Sequence, residues 1–246
     1  NAITLATDGT CEVQAANIAG RNMIANGGMN ICQRGNSSAT SVPAGTSSAY
    51  HLDMYRLRAA GSGATGVYTA AQIEDAPAGF KHSMQIDVTT ADTTLSADAY
   101  HCFYIPIEGR DILRTSFGSS DAKALTLSFW VKSNLTGSSF GASLGNSNNN
   151  RSYAFNYTIS SADTWEKKSI TIPGDTTGSW FTDYRLGIKV TISLGVGSTY
   201  TGGANSWAGS ELMCPTSSTN IVNSASNYIN FTGFQLETGS TATAFE

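Results

Sequence analysis

Few residues in this chain could carry covalent chemistry, and their spacing argues against it. Gly141-Ala142-Ser143-Leu144-Gly145 fits the GxSxG pattern of a hydrolase nucleophile elbow. That elbow needs a strand before the serine and a helix after it. Asn146–Asn150 follows instead, a run poor in helix formers. In a chain this rich in Gly and Ser the pattern reads as coincidence. His51, His82 and His101 are the only histidines, and none shows HExxH or paired-ligand spacing. The cysteines, Cys11, Cys32, Cys102 and Cys214, are too scattered for a CxxC-type zinc site. Cys32 and Cys102 read as buried free thiols. A glycosidase needs two carboxylates at a defined separation in space, and spacing along strands cannot reveal that. Asp111 and Asp121 flank a turn without EF-hand spacing. No cofactor is expected, and a structural calcium would rest on analogy alone.

The aromatic residues point to recognition instead. Sugar rings expose C–H faces that stack on Trp and Tyr, while their hydroxyls need Asn, Asp, Gln or Arg. Trp180, Tyr184, Tyr200 and Trp207 sit in or beside turns, where binding modules place their contacts. These four are the candidate ligand-binding residues. For each, packing or contact with another chain is the competing reading. Trp130 and Trp165 fall on the polar-facing parity of their strands, open to an outer face or to a neighbouring chain.

Strands must position these residues. Leu125–Ser133, LTLSFWVKS, alternates Leu125, Leu127, Phe129 and Val131 against Thr126, Ser128, Trp130 and Lys132. A period of two means a strand with one buried face. The same pattern predicts strands at Tyr50–Arg58, Val67–Ile73, His82–Thr89, Trp165–Ile172 and Arg185–Leu194, and at Tyr153–Ile159. Tyr100–Ile107 is apolar on both faces. Tyr228–Glu237 changes phase at Gly233, the residue expected at a bulge. Residues 35–49, 137–150 and 195–227 read as loops. Ile112–Phe117 reads as a short helix or turn. Ile3–Ala6 and Cys11–Ala15 flank Asp8-Gly9, a hairpin signal. About nine strands with no βαβ rhythm imply an all-β antiparallel sandwich of jelly-roll type.

Composition agrees. The chain has 246 residues, 13% of them charged, and a formal net charge of −4. That charge gives no pull toward nucleic acid or an anionic membrane. No apolar run is long enough to span a bilayer, so membrane insertion is not expected. The N-terminus lacks the layout of a secretory signal. The N-x-S/T triplets at Asn36, Asn134, Asn150, Asn156 and Asn230 therefore predict no glycans.

Several segments together resemble one family. NMIANGGMNICQRG at residues 22–35 is similar to the opening of C-terminal domains in bacteriophage tail-fibre and related virion proteins. LTLSFWVKSN, ADTWEKKSITIPGDTTGSW and FTGFQLETGSTATAFE resemble later landmarks of that domain, in the same order. ITLATDGTCEVQAANI is similar to fibre-stalk units. The resemblance implies a stalk or trimerisation hairpin at residues 1–20 and a carbohydrate-binding-module-like jelly roll at 21–246. It implies a homotrimeric attachment protein of the virion, made in the host cytoplasm, contacting other virion proteins and binding host surface polysaccharide or lipopolysaccharide without catalysis. Loops 137–150 and 195–227 would then present the contacts. The alternatives are a purely structural tip or capsid decoration, and a polysaccharide depolymerase.

Overall fold

The computed structural model describes residues 3–5, 11–13, 20–33 and 39–246. Alternation became strand wherever one face could be buried. In chain order the strands are β1 (Ile3–Leu5), β2 (Cys11–Val13), β3 (Thr40–Val42), β4 (Thr46–Tyr50), β5 (Arg56–Ala60), β6 (Val67–Ile73), β7 (Ser83–Thr90), β8 (Tyr100–Glu108), β9 (Leu125–Ser133), β10 (Gly137–Asn146), β11 (Ser152–Ile159), β12 (Glu166–Ile172), β13 (Leu186–Val196), β14 (Thr201–Gly202), β15 (Trp207–Ala208), β16 (Cys214–Pro215) and β17 (Tyr228–Thr238).

A seven-stranded sheet runs β15-β11-β10-β13-β8-β5-β4, and a six-stranded sheet runs β12-β9-β17-β7-β6-β3. All pairings in both are antiparallel. The sheets close face to face as a jelly-roll-like sandwich. Phe103, Ile105, Ile188 and Val190 from one meet Leu127, Phe129, Phe231 and Ile86 from the other, all fully buried. Phe129 packs edge-on against Tyr157 at 5.2 Å and stacks on Phe234 at 5.1 Å. Aromatic pairs at such spacings add stability beyond the area they bury.

The phase change in β17 is a bulge. Its register against β9 shifts between Thr232 and Gln235, and Gly233 takes φ +66°. The extra residue lets Phe231 and Phe234, of opposite parity, both enter the core. The Phe234 amide, freed from the ladder, donates to the Gly27 carbonyl at 3.0 Å. Asn22 fastens the same junction: its Nδ2 donates to the Phe234 carbonyl at 3.0 Å, and its Oδ1 accepts from the Leu236 amide at 3.0 Å. The first segment of the tail-fibre resemblance thus binds the last.

Three loop readings fail. Residues 137–150 are mostly β10, an interior strand of the larger sheet. Phe140, Ala142 and Leu144 fill its inner face, and a prevalence of Gly and Ser on the other face hid the alternation. Residues 35–49 hold β3 and most of β4; 34–38 lie outside the described residues. The segment 195–227 is not free chain but a wall, pinned by the parallel pair β14–β16. The strand expected at Tyr50–Arg58 is broken at Met54, where φ reaches +75°. β4 ends before the break and β5 begins after it, and the two pair antiparallel. At the N-terminus β1 pairs with β2, while the Asp8-Gly9 turn lies outside the described residues.

Candidate functional site

The outer face of the larger sheet carries the site. In β5, Leu57 and Ala59 point into the core, which turns Arg56 and Arg58 outward. In β8, Phe103 and Ile105 point inward, which turns Tyr100, Cys102 and Tyr104 outward. Register sets Arg56 opposite Tyr104 and Arg58 opposite Cys102. Lys189 of β13 lies beside Pro106 of β8. Tyr200, Glu211 and Met213 form a wall, and Ser147 and Asn149 contribute from the β10–β11 turn. Together these enclose an open cleft of about 230 Å³.

The cleft is held rigid by its own bonds. The Arg58 guanidinium lies 4.5 Å from the Tyr100 ring centre, and its Nη2 donates to the Tyr100 hydroxyl at 2.7 Å. Its Nε donates to the Ser47 carbonyl at 3.0 Å. Arg56 repeats the device: it sits 5.3 Å from the Tyr104 ring centre, donates to the Tyr104 hydroxyl, and its Nε donates to Ser48 Oγ at 2.6 Å. Tyr200 meets Tyr100 edge-on at 5.5 Å. Lys189 is paired with Glu211 and donates to Asn149 Oδ1. Burial pushes the Tyr100 and Tyr104 phenols up, against the pull of the neighbouring guanidiniums, so both stay protonated. Beneath them burial pushes the Cys102 thiol up to about 12, which makes it packing rather than a nucleophile.

Of the four aromatics singled out in the sequence, Tyr200 stands in this cleft. Trp180 and Trp207 lie in an aromatic nest instead. Trp180 is 9% exposed and packs edge-on against Phe117 at 5.0 Å and Trp207 at 5.7 Å. Both indole N–H groups are spent inside the protein, Trp180 on Asp175 Oδ2 at 3.0 Å and Trp207 on the Pro173 carbonyl at 2.9 Å. Tyr184 is 75% exposed, beside the Asp183–Arg185 ion pair, and does not line the cleft. Trp130 and Trp165 are half-buried on the outer side of the smaller sheet, where Trp165 donates to Asp75 at 3.2 Å. The sequence reading missed Arg56, Arg58, Tyr100, Tyr104, Lys189 and Glu211. The available signal was RLR in a strand whose Leu57 faces in: it sends two guanidiniums to one outer face.

The other chemical candidates resolve into structure. Ser143 lies within β10, with no strand-to-helix turn around it. Gly141 has a packing role, because a Cβ there would sit 2.4 Å from both the Cys214 Cβ and Ser218 Oγ. His101 is buried and bonded to Asp92 at 3.1 Å, and the Thr65 amide donates to the same carboxylate at 3.0 Å. His51 is buried between Thr40 Oγ1 at 2.7 Å and the Gln72 amide at 3.1 Å. Cys32 is half-buried beside His51 rather than in a strand, and Cys102 and Cys214 are buried and free. Among the described residues no group of three or more His, Cys, Asp or Glu side chains gathers to hold a metal.

No protein-family model matches the chain, and no curated protein matches it in sequence. Among solved structures it is similar to the enzymatically active domain of tailspike protein 4 from bacteriophage CBA120, at 15% identity and a TM-score of 0.42, over 89% of this chain but only 22% of that one. It is similar to a CBM4 structure at 11% identity and a TM-score of 0.43, over 88% of this chain and 99% of that one. It is also similar to the family 11 carbohydrate-binding module of a cellulosomal cellulase from Clostridium thermocellum, at 13% identity and a TM-score of 0.39, over 83% and 100%.

Proposed function

We propose that this chain is a glycan-recognition module of a phage virion attachment protein, the distal part of a tail fibre or similar spike. It acts as a homotrimer and without catalysis. The observation that carries the reading is the cleft on the larger sheet. It sets the half-buried Tyr200 ring, which suits the C–H face of a sugar, beside fixed N–H and O–H groups on Arg56, Arg58 and the more deeply buried Tyr100 and Tyr104, which suit its hydroxyls. The tail-fibre landmarks of the sequence supply the virion setting. Glu211 is the one carboxylate among the described lining residues, and Lys189 holds it. A site of that kind holds a saccharide and has no acid–base pair to cut it. Weak contact at each cleft becomes useful when three copies bind together. The test is adsorption of purified protein to a glycan array and to whole host cells, with its mass measured by light scattering. Binding that Tyr100→Ala removes supports the reading, and no binding to any glycan or cell ends it.

A further inference from the structure

We propose that the cleft selects an acidic sugar, a residue bearing a carboxylate, and that Arg56 and Arg58 are the groups that read it. The proposal rests on the glycan reading above and narrows it. Its basis is a charge imbalance. Arg56, Arg58 and Lys189 line the cleft against a single carboxylate, on a chain whose overall charge is −4. Glu211 is taken by Lys189. Neither Arg56 nor Arg58 has a carboxylate partner among the described residues, whereas Arg110, Arg151 and Arg185 each do.

The geometry adds a second reason. A guanidinium is a planar fork of N–H donors that matches a carboxylate two bonds at a time. Arg58 commits its Nε and Nη2 to Ser47 and Tyr100; Arg56 commits its Nε and Nη1 to Ser48 and Tyr104. The Nη1 of Arg58 and the Nη2 of Arg56 make no hydrogen bond among the described residues, and both arginines line the cleft. Both heads are fixed by β4 behind them and tyrosine rings beside them, so little side-chain freedom is lost when an anion arrives. The two arginines sit two residues apart on one strand, hence on one face. A uronic or sialic acid presents what this surface lacks: a planar anion on a ring with an apolar C–H face for the half-buried Tyr200.

The experiment is an array of uronate- and sialate-terminated oligosaccharides, each printed beside its carboxyl-reduced form, with sulfated neutral sugars as a third arm. At least one acidic glycan is expected to bind ten-fold or more above its reduced partner, and its binding is expected to weaken as salt rises. Arg58→Ala is expected to lower that affinity about 10–100-fold, the span of hydrogen bonds to a charged group. Arg58→Lys, which keeps the charge and loses the fork, should fall between. Thermal melting checks that each variant folds, and Arg56→Gln carries the test if Arg58→Ala does not. Equal binding of acidic and reduced forms overturns the proposal and leaves the glycan reading standing. Preference for sulfated sugars over carboxylates also overturns it. No glycan binding at all overturns both.

Discussion

Arg151 and Arg58 each lie over an aromatic ring, and they serve opposite ends. Arg151 sits 5.7 Å from the Trp207 ring centre, and its guanidinium is closed off by Asp175, through Nε at 2.9 Å and through Nη2. Arg58 sits over Tyr100 and meets no carboxylate among the described residues. In the first nest one buried acceptor gathers the donors: Asp175 also accepts from Trp180, and Trp207 is bonded to Pro173. In the second, donors remain. One buried aspartate is the difference between a cation–aromatic cluster that seals one end of the sandwich and one that stays open. The strongest aromatic signals in a sequence can therefore be structural, while the proposed binding cleft is lined by plainer residues.

The sharpest way to break this contrast is to remove the aspartate. Asp175 is 1% exposed. Asp175→Ala strands Arg151 and the Trp180 indole, and should cost about 3–5 kcal/mol of stability by denaturant titration, with glycan affinity unchanged in the folded fraction. A loss under about 1 kcal/mol would mean the nest is not closed by this residue. Acid should probe the same group. Burial resists ionisation of Asp175, but bonds from Arg151, Trp180 and Thr177 prevail and hold its carboxyl below the ordinary 3.8. A depressed folded value stabilises the fold above the unfolded value, and that stability is lost as pH falls through the folded one. Melting midpoints below pH 3.8 should thus fall more steeply for the parent than for Asp175→Asn.

Tyr100→Ala attacks the open cluster. It should reduce glycan affinity about ten-fold, near 1.4 kcal/mol, by calorimetric titration. Unchanged affinity would remove Tyr100 from the site. Tyr200→Ala should act in the same direction but less, because it touches Tyr100 only at the edge; about 0.5 kcal/mol, the low end for an aromatic pair, is expected. Tyr184→Ala should shift neither stability nor affinity by more than about 0.5 kcal/mol. A large loss of binding there would move the site to the Asp183–Arg185 turn.

How much of this could be read from sequence follows from where side chains point. The β9, β11 and β13 strands were legible because large apolar residues alternate with small or charged ones, and the sandwich followed from them. The β17 bulge was legible because Gly233 interrupts parity between Phe231 and Phe234. β10 was not, because glycine and serine occupy one face of a strand whose neighbours supply the bulk. The break at Met54 was not, since a left-handed backbone at methionine leaves no mark in hydrophobic spacing. Of the candidate site only Tyr200 was named in advance. Arg56 and Arg58 escaped because an outward-facing arginine looks the same whether solvent, a carboxylate or a ligand answers it. Only the three-dimensional neighbours tell those cases apart.

Gly141 has a consequence for diversification. The bare patch it leaves on β10 is a socket into which Cys214 and Ser218 settle, so the wall of the cleft is seated from behind rather than from its rim. Side chains at the rim ahead of β15, at 203–206, can then be exchanged while Trp207 and Glu211 keep their partners in the layers below. A side chain added at the socket would lift the whole wall at once.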